Sequence, residues 1–315
     1  MIFTTGTDQN AMELLRQLCS IHAPSGNEEA MTDFLINYIQ KHQSKWKVRP
    51  EIFYGEDFQN CIVLVFGKPK TAVYAHIDSI GYTVRYGNEL VRIGSPQASS
   101  GAYVVGHDKS GNIEAELWVD KDEHQIRLNA SRIVEPGTDL TYKPIWKEDE
   151  HFVQCCYMDN RLGVLNALNL CETLENGAIV FSCWEEHGGG SVAFLARFLY
   201  EKYGIKQALI SDITWITEGV FSGKGVVISL RDSGLPRRKF IDRILKLAGD
   251  SGISFQKEVE GSGGSDGTEI QKQPYPIDWC FIGAGEENVH CPDERVNKND
   301  IRAMFQMYEY LLPRL

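Results

Sequence analysis

Two adjacent carboxylates, Glu185 and Glu186, follow the apolar segment Ala178-Ile179-Val180-Phe181 and precede His187 and three glycines. The segment is built of strand-forming residues, so the pair sits where a buried strand ends. Two like charges there cannot both stay ionised unless something positive holds them, and a divalent metal is the simplest partner. Other reactive residues stand at similar junctions. His76 and Asp78 follow Thr71-Ala72-Val73-Tyr74-Ala75, Asp159 precedes a helical pattern, Asp212 ends Ala208-Leu209-Ile210-Ser211, and His290 lies in Asn288-Val289-His290-Cys291-Pro292. Residues two apart in a strand face the same way, which puts Asp78 beside His76 as a carboxylate able to orient an imidazole ligand. Two histidines and several carboxylates suit Zn²⁺ or a similar first-row ion. They are too many for one tetrahedral ion. They fit a two-metal site with one bridging carboxylate, one His and one further carboxylate per ion, and one Glu left as general base. For any one of these residues the bland account holds: a helix cap, a solvated loop side chain or, for His76, a surface histidine at a strand end. That account is poor for His76, Asp78, Asp159, Glu185, Glu186, Asp212 and His290 together. His22, His42, His107, His124 and His151 are assigned to such ordinary roles.

The elements that must carry these groups follow from periodicity. Apolar stripes at helical spacing predict helices over 8–22 and 28–43, with Ser25 or Asn27 capping the second. Runs rich in β-branched residues predict strands over 61–66 and 71–75. Between Tyr82 and Phe152 the texture changes to short alternating segments separated by Gly, Asn, Asp and Ser turns, which predicts a small all-β, barrel-like unit. Beyond it, helical patterns (164–170, 191–203, 240–248, 300–312) alternate with apolar strand segments (178–181, 208–212, 226–230, 277–282). The expected fold is therefore α/β, a central sheet flanked by helices with a small inserted all-β domain. Residues 1–78 and 154–315 form one discontinuous domain and 79–153 the insert. Strand ends converge on one rim of a parallel sheet, so the reactive groups can meet there. The loop Gly261–Gly267 resembles a phosphate cradle only weakly, since no Lys-Ser/Thr follows it.

Bulk properties narrow the partners. The chain has 315 residues and a net charge of -11, which argues against nucleic acid or an anionic membrane. Its first residues, Met1-Ile2-Phe3-Thr4-Thr5, lack a basic region and a long apolar run, and no segment reads as a membrane span. Eight cysteines are scattered through apolar surroundings with no Cys-x-x-Cys pair, which predicts reduced thiols and a cytoplasmic protein.

The motifs in order resemble the glutamyl aminopeptidase family, the tetrahedral or deblocking aminopeptidases, over nearly the whole chain. They are Ala23-Pro24-Ser25-Gly26-x-Glu28, Ala75-His76-x-Asp78-x-Ile80-Gly81, Pro136-Gly137-Thr138-Asp139, Asp159-x-Arg161-x-Gly163, Glu185-Glu186-x-Gly188, Gly264-Ser265-Asp266 and His290-x-Pro292-x-Glu294. Related carboxypeptidases and deacylases carry their extra domain after the Glu-Glu pair. Here it falls within the 82 residues between His76 and Asp159, as in the glutamyl aminopeptidases. The resemblance implies a zinc-peptidase-like mixed sheet and two divalent ions, Zn²⁺ first, with Co²⁺ or Mn²⁺ as alternatives. It implies that Asp159 bridges them, that His76 and Asp212 complete one and Glu186 and His290 the other, that Glu185 is the base acting on a metal-bridging water, and that Asp78 orients His76. The implied substrates are peptides with a free N-terminus. Ser79, His187 and Cys291 stand where the family commonly has an acid, an apolar residue and a serine, and none of them is a proposed ligand. The insert is shorter than typical, so the implied homo-oligomer is smaller than the family's large hollow particles. The competing readings are a deacylase or carboxypeptidase on the same site, and a degenerate, non-catalytic member.

Overall fold

Strands whose residues are apolar on both faces must be covered on both faces, and the central strands of this chain are. The computed structural model describes residues 5–120 and 125–315; His124 lies outside them. The chain opens with α1 (Thr5–Cys19), α2 (Glu29–His42), β1 (Glu51–Gly55), β2 (Gln59–Phe66) and β3 (Thr71–His76). A run of strands follows: β4 (Gly81–Val84), β5 (Leu90–Ile93), β6 (Tyr103–Asp108), β7 (Gly111–Asp120), β8 (Gln125–Asn129), β9 (Asp139–Tyr142), β10 (Lys147–Glu148) and β11 (Phe152–Gln154). Helices and strands then alternate through α3 (Met158–Cys171), β12 (Gly177–Ser182), α4 (Val192–Tyr203), β13 (Gln207–Trp215), β14 (Val226–Ser229), α5 (Arg238–Ser251), β15 (Phe255–Glu258) and α6 (Asp266–Gln271). The chain closes with β16 (Asp278–Glu287), β17 (Arg295–Asn297) and α7 (Lys298–Leu311).

The main sheet is mixed, in the order β1-β2-β12-β3-β13-β16-β17-β11-β10, with β14 on β16 and β15 on β14. β12, β3, β13 and β16 are mutually parallel, while β2 runs antiparallel to β12. The turn after β2 therefore does not pair it with β3; β12 lies between them. The second sheet is antiparallel, β5-β4-β9-β6-β7-β8, and a bridge between Glu89 and Arg127 brings its two ends close to closure. The architecture is thus a large mixed sheet flanked by helices plus a separate, nearly closed β unit. Residues 147–153, which sequence texture groups with the small unit, belong instead to the main sheet: β11 pairs with β17, Val153 opposite Val296, and β10 pairs with β11. No helix of the described residues is long and apolar enough to cross a membrane.

The helix that matters most for the site is α3. Its pattern reads as amphipathic, but every residue except Asn169 is buried, because α1 and α7 cover what the sheet does not. A short network locks it to β13. Asn160 Nδ2 donates to Ser211 O at 2.9 Å, Ser211 Oγ to Gly163 O at 3.1 Å, and Asn166 Nδ2 to Ser211 Oγ at 2.9 Å. A Cβ on Gly163 would lie 2.0 Å from Ser211 O, so only glycine permits this approach. Gly163→Ala is expected to lower stability by about 1–3 kcal/mol, the usual penalty of overpacking, and to weaken metal retention by moving Asp159 away from Asp212. Urea unfolding and metal analysis after gel filtration check both.

Candidate metal centre

Six side chains from five segments meet at the C-terminal side of β3, β12 and β13. His76 is the last residue of β3, and Asp159 sits in the first turn of α3. Glu185 and Glu186 share one 3-10 turn just past β12, and His290 lies in the loop between β16 and β17. Asp212 is within β13, which runs on to Trp215 rather than stopping at the acid. There Gly283 of β16 faces it, and a Cβ at 283 would lie 2.1 Å from Asp212 O.

Distances define two groups that share one residue. His76 Nε2 lies 3.1 Å from Asp159 Oδ1 and 3.6 Å from Asp212 Oδ2. His290 Nε2 lies 3.3 Å from Asp159 Oδ2 and 3.2 Å from Glu186 Oε2. Within each group one donor atom per residue falls within 4.8 Å of the others. The two oxygens of Asp159 thus face two different imidazoles. Glu185 Oε2 is 4.0 Å from His76 Nε2 and belongs to neither group.

The electrostatics are those of a site short of positive charge. Burial disfavours a charged His76, but Asp212, Asp159 and Asp78 outweigh it and hold the imidazole well above its ordinary range. His290 is pushed up to about 12, burial being overcome by Asp159 and Glu186. Burial lifts the carboxyls of Glu185 and Asp212 well above their ordinary values, and burial with Asp159 nearby lifts Glu186. Asp159 is held low against burial by His290 and His76. Glu186 Oε1 is buried with no hydrogen-bond partner. Imidazole nitrogens, carboxylate oxygens and an orphaned acceptor fit a first-row divalent ion, whose binding would displace the protons these groups hold.

Several residues hold the ring of donors in place. Asp78 is fully buried. It accepts from Ser25 Oγ at 2.5 Å and from the backbone N–H groups of Glu185 and Glu186 at 3.1 Å each. Its Oδ1 is 3.4 Å from His76 Nδ1, which lacks a hydrogen bond. Strand alternation is not what brings this pair together, since β3 ends at His76 and the chain bends beyond it. Buried Arg161 donates to Ile77 O and, at 3.2 Å, to Asp78 O. Glu294 accepts from His290 N at 3.0 Å and Asp159 N at 3.4 Å. Ser95 Oγ meets His290 Nδ1 at 2.8 Å, a contact that no sequence pattern signalled. His22, His42, His107 and His151 belong to neither group; His22 instead meets Thr141 Oγ1 at 2.9 Å.

A cavity of about 450 Å³ opens onto these groups, lined by Asp159, Glu185, Glu186, Asp212 and His290 on one side and by β13, β14 and the segment after β15 on the other. Another cavity of about 470 Å³ lies near Thr71, at the opposite end of β3, and touches none of them.

A sequence profile described as M42 glutamyl aminopeptidase matches residues 102–307. The chain belongs to the M42 glutamyl aminopeptidase family. Its fold is similar to that of aminopeptidase APDkam598 from Desulfurococcus kamchatkensis (TM-score 0.83, 18% identity, 98% of this chain and 96% of that one). It is also similar to a TET aminopeptidase from a marine-sediment Thaumarchaeota archaeon (TM-score 0.81, 16% identity, 98% and 97%). A third similar structure is the TET1 peptidase of Pyrococcus horikoshii (TM-score 0.77, 19% identity, 96% and 99%). As an M42 member the protein is a metal-dependent aminopeptidase, a peptide hydrolase.

In this M42 chain Asp78 is the contact between the imidazole on β3 and the Glu185–Glu186 turn. Asp78→Asn replaces one acceptor oxygen by a donor, so one of the two turn N–H groups loses its partner. A loss of about 1–3 kcal/mol in stability is expected, with metal affinity reduced roughly 10–100-fold. Thermal unfolding and chelator competition measure the two effects; an unchanged metal affinity would remove Asp78 from the positioning role.

Proposed function

We propose that this M42 protein removes N-terminal residues from peptides at a centre of two divalent cations. His76, Asp159 and Asp212 would hold one, and Asp159, Glu186 and His290 the other. Zn²⁺ suits these donors best, with Co²⁺ and Mn²⁺ as alternatives. The observation that carries the reading is Asp159, whose two oxygens lie 3.1 and 3.3 Å from the Nε2 atoms of two different histidines. Cations bound there supply Lewis acidity, polarising a carbonyl and acidifying water.

The chain's own residues do the rest. Glu185 lines the cavity and takes no part in either donor group. Its burial raises its proton affinity, which suits a base that takes a proton from the attacking water and returns it to the leaving amine. Asp78 and Ser95 orient the two imidazoles from behind. A free α-amine, with a pKa of about 8, loses its proton at little cost and would then serve as a ligand to a bound cation. A blocked N-terminus, whose amide nitrogen has no available lone pair, would not.

We take 1–78 and 154–315 as a discontinuous catalytic domain and 79–153 as an insert whose last strands, within 147–153, extend the catalytic domain's sheet. The cysteines of the chain are all free, which suits a reducing cytoplasm. The P. horikoshii TET1 peptidase assembles into a tetrahedron or an octahedral shell, which supports a homo-oligomer here. The acidic balance speaks against nucleic acid and anionic membranes as partners.

Metal content together with hydrolysis of free and N-acetylated peptides tests the function. Two ions per chain with activity only on free N-termini are expected; activity confined to blocked substrates would make it a deacylase. Glu185→Gln should reduce turnover at least about a hundredfold with metal content intact, whereas Asp159→Ala should lose metal. Near-native activity of Glu185→Gln would overturn the mechanism.

A further inference from the structure

The cavity beside the candidate centre has a wall that the reaction does not use. Asp232, Glu258 and Glu260 line it, among the hydroxyls of Thr214, Thr217 and Ser229, and neither Lys nor Arg does. Glu258 is only 4% exposed and accepts a hydrogen bond from Thr214 Oγ1. Glu260 accepts from Thr217 Oγ1 at 2.7 Å. Asp232 accepts from Gly234 N, Ser265 Oγ and Thr268 Oγ1. Among the described residues none of these three carboxylates forms an ion pair, whereas Glu269 on the same cavity is neutralised by Lys272 at 2.6 Å. Arg231, whose Nε holds the backbone carbonyls of Asp232 and Glu260, is not among the lining residues.

Hydroxyl donors hold carboxylates in place without cancelling their charge. A buried, uncompensated carboxylate is costly, and a cation entering the cavity relieves that cost. The placement is selective. Thr214, which carries Glu258, is two residues beyond Asp212 on β13. Two residues of strand advance about 7 Å, which a four-carbon stem ending in an ammonium spans. Ile213 and Phe281 line the same cavity and offer that stem apolar contact.

Resting on the aminopeptidase reading, we infer that the Asp232–Glu258–Glu260 wall receives the side chain of the peptide's first residue and selects a cationic one, Lys or Arg. A glutamate side chain, the residue for which the family is described, meets like charge here and is rejected.

The test compares 4-nitroanilides of Lys, Arg, norleucine and Glu on the metal-loaded enzyme, norleucine being lysine without its charge. Lys and Arg should exceed norleucine at least tenfold in kcat/KM, with Glu the poorest. In Glu258→Gln/Glu260→Gln the Lys-to-norleucine ratio should fall towards one. Glu260→Gln, at the half-buried position, should lower the ratio on its own if the double variant folds poorly. A calorimetric titration with L-lysinamide and L-norleucinamide reads the same preference without turnover and should favour lysinamide at least tenfold. Equal cleavage of Glu and Lys substrates, or a ratio that survives both variants, would overturn the inference while leaving the aminopeptidase intact. If no free-amine substrate is cleaved, the functional reading fails; the titration then still decides the cationic preference, and equal binding of the two amides would overturn it.

Discussion

One carboxylate facing two imidazoles is the constraint on which the rest of the structure depends. Asp159 must present Oδ1 to His76 and Oδ2 to His290, so its position is fixed from two sides. The chain meets this by burying the start of α3 completely. The Asn160–Gly163–Ser211 network ties that start to β13, and Glu294 holds the N–H groups of Asp159 and His290 together. The framework groups Asn160, Ser211 and Glu294 are satisfied by backbone partners at fixed distances. A site built this way tolerates little displacement of any one element.

The small β unit takes part in this constraint. The loop between β5 and β6 reaches the centre: Gly94 N donates to His187 Nδ1 at 3.1 Å, Ser95 meets His290 Nδ1, and Gln97 N donates to His290 O at 2.9 Å. A Cβ on Gly94 would lie 3.0 Å from Glu186 O. His290, from the last third of the chain, is thus oriented by a residue from the first third. The insert completes the second donor group as Asp78 completes the first.

The sequence displayed the groups that meet better than the framework that brings them together. His76, Glu185, Glu186 and Asp212 stand out where an apolar run meets an acid or imidazole, whereas Asp159 and His290 stand out only through the motifs around them. Strand order was not visible, since nothing local says that β12 separates β2 from β3. β1, β15 and β17 carry little sequence signal because they are short or polar, their pairing set by neighbours rather than by intrinsic preference. Ser25 and Asn27 matched the rule for capping α2, yet neither caps it. The Ser25 hydroxyl goes to Asp78, and the Glu28 carboxylate takes Gly26 N and Asn60 Nδ2 instead. A tertiary acceptor won over a local one. Ser95 carried no signal because a serine in a polar loop is the commonest thing a loop contains.

The buried acids sort themselves by what their oxygens touch. Asp78, Glu294 and Asp300 accept from backbone N–H groups, the last from Gly223 and Gly225; such carboxylates fix loops. Asp159, Glu186 and Asp212 face imidazoles and one another, and there a cation can replace protons. Asp232, Glu258 and Glu260 take hydroxyl donors but form no ion pair among the described residues, and they face open cavity. Glu286 fits none of these classes. Both its oxygens are buried without partners, and burial, with Glu294 and Asp159 nearby, lifts its pKa well above the ordinary value. Burial without a donor, beside the carboxylates of Glu294 and Asp159, favours the protonated form of Glu286. The distinction matters for the chemistry: what sets the character of this site is how many of its acids stay ionised, and the partners of each decide that.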